Sequence, residues 1–158
     1  MNWEKNKDHR QDAKTPRKDL SQEEESLATS IVDAAVKVHS VMGPGLLERI
    51  YEICMIHELT KRGHKVESQV AVPLYYDGVQ LDAGLRLDLV VDGIAVLELK
   101  SVDHTLPVHE GQLITYLKLS GLRLGFLLNF NVALMKDGIK RRILQRKDGG
   151  LLSCFHES

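Results

Sequence analysis

Two stretches near the middle of the chain, Gly84 to Val91 and Ile94 to Val102, are apolar at nearly every position. A strand apolar throughout is buried on both faces, so the sheet holding these two must carry helices on each side. The flanking sequence supplies them. Leu27, Ile31, Ala34, Ala35, Val38 and Val41 recur at helical spacing behind Ser21-Gln22-Glu23-Glu24, which has the form of a capping box. Gly43-Pro44-Gly45 ends this helix, because proline excludes helical geometry from the residue before it. A second helix is expected over Leu46 to Arg62, with Leu47, Ile50, Tyr51, Cys54 and Leu59 among its apolar positions and Gly63 as its stop.

From residue 65 the period falls to 2. Val66, Ser68, Val70, Val72, Leu74 and Tyr76 alternate with mostly polar residues up to a turn at Asp77-Gly78. Pro107 and Gly121 bracket a third helix over Val108 to Leu119, followed by strands at Leu122 to Asn129 and Ile139 to Ile143. The order α-α-β-β-β-α-β-β predicts an α/β fold, a mixed sheet flanked by helices. A chain of 158 residues fits one domain, assigned here to residues 21–148. Residues 1–20 hold six basic and four acidic side chains and almost nothing apolar, and read as a mobile leader; residues 149–158 read as a tail.

Composition narrows the function classes. Hydrophobic residues make up 43% and charged residues 27%, an ordinary globular balance. The net charge of −1 excludes a protein that holds nucleic acid by bulk positive charge, but leaves room for a local basic groove. No strictly apolar run exceeds four residues, which excludes a membrane-spanning helix, and the N-terminus lacks the apolar segment of a signal peptide. Two cysteines are too few for a disulfide framework or a zinc site, so a reduced, cytoplasmic protein is expected.

The chemistry lies in the apolar strands themselves. Asp88, Glu98 and Lys100 sit inside Leu87-Asp88-Leu89-Val90-Val91 and Val96-Leu97-Glu98-Leu99-Lys100, where charge is costly to desolvate unless it is paired or binds a metal. Glu98 and Lys100 are two apart and share a face. A two-residue Asp92-Gly93 turn would pair Asp88 with Leu97 and send it to the other face. A three-residue Val91-Asp92-Gly93 loop, or an equivalent bulge, would pair it with Val96 and make Glu98 its diagonal neighbour; this second arrangement is the expectation. Two carboxylates and a lysine then form a site for a hard cation such as Mg²⁺, which prefers oxygen ligands and lets substrate phosphates complete its shell. A metal there would lower the pKa of bound water and neutralise charge on a phosphate, while Lys100 orients the water or stabilises charge on the phosphate under attack. The alternative is an internal ion pair of Lys100 with Glu98 or Asp88.

Asp88 with Glu98-Leu99-Lys100 resembles the D…(D/E)-x-K core of the PD-(D/E)XK nuclease superfamily, whose α-β-β-β-α-β core matches the order from the second helix onward. More narrowly, Gly45-Leu46-Leu47-Glu48-Arg49-Ile50-Tyr51 reads G-x-x-E-x-x-Y, and the chain resembles the GxxExxY family of small bacterial proteins over residues 25–145. Tyr75-Tyr76-Asp77-Gly78, Pro107-Val108-His109-Glu110 and Leu128-Asn129-Phe130-Asn131 add to that likeness. The resemblance implies a restriction-endonuclease-like fold and a Mg²⁺- or Mn²⁺-dependent nuclease, with DNA the favoured substrate. It implies Asp88, Glu98 and the Leu99 carbonyl as metal ligands, Lys100 as the catalytic base-side group, and Glu48 beside the metal. Gln112 and Tyr116, one helical turn apart, would contact Lys100 or a phosphate. The proline that often precedes the first aspartate is replaced by Leu87. Glu48 also reads as an acid complementing its helix dipole, and Tyr51 as a core residue.

Other features are plainer. No histidine pair has zinc spacing, His109 reads as an exposed helix start, Cys54 as core, and Ser101 lacks a nucleophile elbow. Lys136 to Lys147 holds six basic residues and one acid, which makes Lys140, Arg141 and Arg142 the candidate nucleic-acid surface, or else a charged edge strand that resists aggregation. A non-catalytic nucleic-acid- or protein-binding module on the same fold is the alternative function. A chain this short has no separate specificity domain, so a homodimer or larger complex is also expected.

Overall fold

A computed structural model describes residues 20–145; residues 1–19 of the expected leader, the expected tail, and Arg146 and Lys147 of the basic run lie outside them. Helix α1 (Gln22–Met42) starts at the capping box read from the sequence. Ser21 Oγ accepts the Glu24 N–H at 3.1 Å, and the Ser21 N–H donates to the Glu24 carboxylate at 2.7 Å. The same carboxylate takes both arms of the Arg123 guanidinium, at 2.9 and 2.7 Å. Arg123 stands just ahead of a core strand, so one buried fork-to-fork pair ties the start of the first helix to the sheet. Helix α1 ends at Gly43 with φ +68°, and Gly45 follows with φ +93°, a reversal that glycine makes cheaply. Helix α2 (Glu48–Lys61) then begins with Glu48 itself in its first turn.

Five strands form one sheet in sequence order: β1 (Val66–Tyr76), β2 (Val79–Val91), β3 (Ala95–Lys100), β4 (Leu124–Asn129) and β5 (Ile139–Ile143). Neighbours are antiparallel except β3 and β4, which run parallel and are joined by helix α3 (Pro107–Ser120). Helices α1 and α2 cover one face, burying Ile31, Ala35, Tyr51, Met55 and Leu59 against Leu89, Leu97, Leu99 and Phe126. Helix α3 covers the other, with Leu113 and Leu117 against Val90, Val96 and Leu127. The expectation of strands buried on both faces holds for β3, where every residue but Lys100 is buried, and for β2 only from Leu87 on, with Asp88 half-buried and Gly84 and Arg86 exposed; β4 is buried throughout. Gly125 makes the close fit of α3 possible: a Cβ there would lie 2.9 Å from Leu113 Cδ1 and 3.0 Å from Leu117 Cδ1.

Strand β2 is longer than its apolar run implies, beginning at Val79 rather than Gly84. Its pairing with β3 covers only Leu89 to Val91, so the rest of β1 and β2 continues as a two-stranded ribbon out to the Asp77-Gly78 turn, with Tyr76 and Val79 exposed at its tip. Asp88 lies at the base of this ribbon.

A second tether joins α1 to the β2–β3 turn. Ser30 Oγ lies 2.7 Å from His64 Nε2, and His64 Nδ1 lies 2.7 Å from Asp92 Oδ2, whose other oxygen accepts the Lys65 N–H at 2.8 Å. The order serine, histidine, aspartate is that of a hydrolase relay. However, Ser30 is interior to α1, where the neighbouring N–H groups are spent within the helix and none is left to hold an oxyanion. The three residues act as a stitch.

Candidate active site

The ladders on both sides of β2 break at the same level. In β1–β2 the pairs run Ser68↔Leu89 and then Val70↔Leu87, skipping Gln69 opposite Asp88. In β2–β3 they run Val91↔Ala95, Val90↔Val96 and Leu89↔Leu97, then stop, so Glu98 stands opposite Asp88 without a backbone pair. Asp92 and Gly93 both have positive φ and form a two-residue turn closed by Ile94 N–H to Val91 O at 2.9 Å. Ile94 is then the extra residue of a bulge. The expected three-residue offset is therefore present but one position later, Asp92-Gly93-Ile94, and Glu98 faces Asp88 directly rather than diagonally.

Side chains replace the missing backbone bonds. The Leu99 N–H donates to Asp88 Oδ2 at 2.9 Å, and the Asp88 N–H donates to Glu98 Oε1 at 3.3 Å. The apolar pattern changes side here too: Leu87 packs on the α3 side with Val90, whereas Leu89 and Val91 pack on the α1–α2 side. Leu89-Val90-Val91 are apolar at successive positions because both faces of β2 are buried there.

Two carboxyl groups in one buried place repel. Burial, and then the Asp88 charge beside it, push the Glu98 carboxyl up to about 8, and Glu98 is only 6% exposed. Burial also raises Asp88, against the Leu99 N–H, which favours its charged form. The two carboxyl groups act on each other, and the Lys100 cation opposes both upward shifts. Burial raises Glu48 as well, with Lys100 opposing and Asp88 and Glu52 adding to it. Tyr116 is raised by burial and then by the charges of Glu98 and Asp88. Thus α2 brings Glu48, and α3 brings Tyr116, within electrostatic reach of the strand carboxylates. Gln112 is on the same helix as Tyr116 but exposed, and makes no hydrogen bond among the described residues.

Asp88 and Glu98 offer hard oxygen donors, each already oriented by one backbone N–H, and they carry a proton that a divalent ion would displace. Among the described residues no three His, Cys, Asp or Glu side chains converge into a closed cage. The donor set therefore suits an ion that keeps water and takes substrate oxygens, as Mg²⁺ does, rather than a sealed structural metal.

The G-x-x-E-x-x-Y stretch positions Glu48 by mechanical means. Tyr51 is fully buried and stacks on Phe130 at 4.5 Å with the rings 9° from parallel. Its hydroxyl donates to Gly43 O at 2.5 Å and accepts the Leu46 N–H at 3.2 Å, which folds the Gly43–Leu46 loop over the ring and fixes where α2 begins. Ser101 Oγ donates to Leu46 O at 2.6 Å, so the loop is also tied to the end of β3, one residue past Lys100. Buried Asn129, paired with Lys100 across the parallel ladder, holds Val102 through both its amide oxygen and nitrogen. Tyr51 is core, as expected, and carries polar work besides.

One residue beside the site, Glu52, was missed in the sequence. Glu52 is buried, accepts from Arg49 Nη1 at 2.8 Å and from Gln69 Nε2 at 3.2 and 3.3 Å, and its charge is felt by both Glu48 and Asp88. Glu52 lies one turn beyond Glu48, so an i, i+4 pair of acids on one helix was the available signal.

The basic candidates on β5 are all engaged by acids. Lys140 Nζ donates to Glu110 at 2.7 Å, Arg142 donates to the other Glu110 oxygen, and Arg141 lies 3.5 Å from Glu25. Glu110, on α3, has its carboxyl lowered by its hydrogen bonds to Lys140 and then Arg142. Their positive charge is thus partly neutralised within the molecule. His109 is not merely an exposed helix start: its Nδ1 accepts the Leu106 N–H at 3.0 Å and caps α3. Cys54 is half-buried at the core margin. A cavity of about 300 Å³ lined by Thr29, Val32, Phe126 and Arg141 lies between α1 and β5, away from the carboxylates.

No curated protein and no solved structure matches the chain. Among the described residues no helix is long and apolar enough to cross a membrane. The sequence pattern of the PD-(D/E)XK nuclease superfamily matches residues 25–142, from the first turn of α1 into β5, and so takes in every element that shapes the carboxylate site. With most of its length matched and a mixed sheet flanked by helices, the chain belongs to the PD-(D/E)XK nuclease superfamily.

Proposed function

We propose that the protein is a Mg²⁺- or Mn²⁺-dependent nuclease that hydrolyses phosphodiester bonds, with DNA the favoured substrate. The observation that carries this reading is the double break in the ladders, which frees Asp88 and Glu98 to face each other beside Lys100. Asp88, Glu98 and the Leu99 carbonyl would hold the ion, with Glu48 supporting its shell from α2. The ion would supply Lewis-acid neutralisation of the phosphate and acidify a bound water. Lys100 orients the attacking water and stabilises the added negative charge as the new P–O bond forms and the bond to the leaving sugar oxygen breaks. Tyr116, close enough to feel both carboxylates, positions a phosphate or Lys100; Gln112, one turn earlier and exposed, reaches toward the substrate side. Lys140, Arg141 and Arg142 are the proposed outer contacts to the nucleic-acid backbone, exchanging Glu110 and Glu25 for phosphates. Membership of the narrower GxxExxY group, a cytoplasmic location and action as a homodimer or in a larger complex belong to the same proposal.

Cleavage of a panel of DNA and RNA substrates with and without Mn²⁺ tests it. Activity is expected to need the ion and to fall by roughly 10²-fold or more in Asp88→Asn and Lys100→Ala while both variants stay folded. A folded wild-type protein that binds no divalent ion at millimolar concentration overturns the reading. The non-catalytic alternative would instead show salt-sensitive binding that is indifferent to Asp88 and to metal.

A further inference from the structure

The left-handed backbone of a non-glycine residue in the middle of a strand costs energy, and it persists only where surrounding contacts over-determine it. Gln69 is such a residue, with φ +52°, and it stands opposite Asp88 where the β1–β2 ladder is interrupted. Among the described residues the two other non-glycine residues with positive φ, Asp77 and Asp92, each precede a glycine in a tight turn and need no further cause. Gln69 has no turn to explain it. Its side-chain amide reaches both oxygens of Glu52 on α2, and Glu52 is braced from its own helix by Arg49. Its carbonyl accepts Arg86 Nη1 at 3.3 Å, from the strand it should have paired with.

We propose that Gln69, clamped by Glu52, is a positioning residue for Asp88: the amide–carboxylate contact holds the kink in β1 that releases Asp88 from one ladder, so that its carboxylate can turn across to the Leu99 N–H of β3. A Gln69 in regular strand conformation would point its side chain away from Glu52 and restore a continuous β1–β2 ladder through Asp88. The clamp also links α2, which carries Glu48, to the strand that carries Asp88, and sets the two acids in one frame. The effect of this positioning on cleavage rests on the nuclease reading; the positioning itself does not.

The Leu99 amide reports the position of the Asp88 carboxylate directly, so its hydrogen exchange, measured by NMR in the metal-free full-length protein, is the test. Gln69→Gly accommodates the left-handed backbone and so keeps the fold, but lacks the amide. Leu99 is expected to exchange about tenfold faster in Gln69→Gly and in Glu52→Ala, the measure of one lost hydrogen bond, while Leu97 and Phe126 keep their wild-type rates. Glu67→Gln, an exposed change on the same strand, is expected to leave Leu99 unaltered. Unchanged Leu99 protection in folded Glu52→Ala, where Gln69 keeps its strained backbone and loses its clamp, overturns the proposal whatever Gln69→Gly shows. So does a uniform rise at Leu97, Leu99 and Phe126, or an equal effect of Glu67→Gln, since either makes the role one of general stability. In the Mn²⁺-dependent cleavage assay Gln69→Gly is expected to lower kcat with little change in KM. A wild-type protein without cleavage would remove the nuclease reading and leave the Leu99 comparison to decide the positioning.

Discussion

The molecule treats two sets of shielded carboxylates in opposite ways. At the start of α1, Glu24 meets the Arg123 guanidinium and the Ser21 cap, and these hold its carboxyl down to about 2. At the base of the β1–β2 ribbon, Glu98 meets Asp88, another carboxyl group, and is driven up to about 8. The first site is complete: donors and acceptors match, and nothing is gained by adding a ligand. The second lacks positive charge in proportion to its acids, because among the described residues Lys100 alone is a cation that opposes the shifts of both. Burying an incomplete set costs stability, and it persists where a missing partner completes it.

The sharpest way to break this contrast is to remove one member from each site and unfold both variants in urea without metal. Arg123→Ala leaves Glu24 shielded from water without its guanidinium, and is expected to cost about 3 kcal/mol. Asp88→Asn keeps an oxygen for the Leu99 N–H and removes a like charge, so it is expected to be neutral or to stabilise by up to about 1 kcal/mol. Equal losses in the two variants would show that the strand carboxylates are an ordinary structural pair.

The same contrast predicts opposite pH limbs. Glu24 titrates lower in the folded than in the unfolded chain, so its contribution is complete above about pH 4.5 and lost as the pH falls toward 2. Glu98 titrates higher in the folded chain, so the native state binds the extra proton and metal-free stability declines as the pH rises from about 4.5 to about 8. Thermal melts across this range are expected to show that alkaline decline, with Mn²⁺ or Glu98→Gln abolishing it. A metal-free melting temperature that climbs steadily to pH 8 would contradict it. A smaller loss than that of Arg123→Ala is expected of Tyr51→Phe, which keeps the ring on Phe130 but frees Gly43 O and the Leu46 N–H. A loss of about 1 kcal/mol in urea unfolding, with a modest fall in cleavage through a less fixed Glu48, is the predicted outcome.

The sequence disclosed the layers and the chemistry better than the geometry between them. Continuous apolar strands required helices on both faces, and the even spacing of Glu98 and Lys100 put them on one face whatever the rest of the fold. Whether Asp88 joined them hung on one residue in a turn, and Ile94 as a bulge residue has no mark that distinguishes it from the first residue of a strand. Gln69 was invisible for a deeper reason: glutamine carries no preference for the left-handed region, and the carboxylate its amide meets, that of Glu52, is 17 positions away in the chain. The ion pairs of Lys140 and Arg142 with Glu110 were hidden in the same way, because a charge run on an edge strand does not disclose which helix lies over it.

Gly125 touches none of the acids, yet it sets the width of the cleft. With no side chain on β4 at that point, Leu113 and Leu117 rest almost on the backbone, and Tyr116, between them on α3, is carried down toward Glu98 and Asp88. A single added methyl group would act as a shim, lifting the whole helix and widening the space above the carboxylates without altering one of them. The height of the roof over the site is thus gauged by a hydrogen atom on β4 that takes no part in the chemistry.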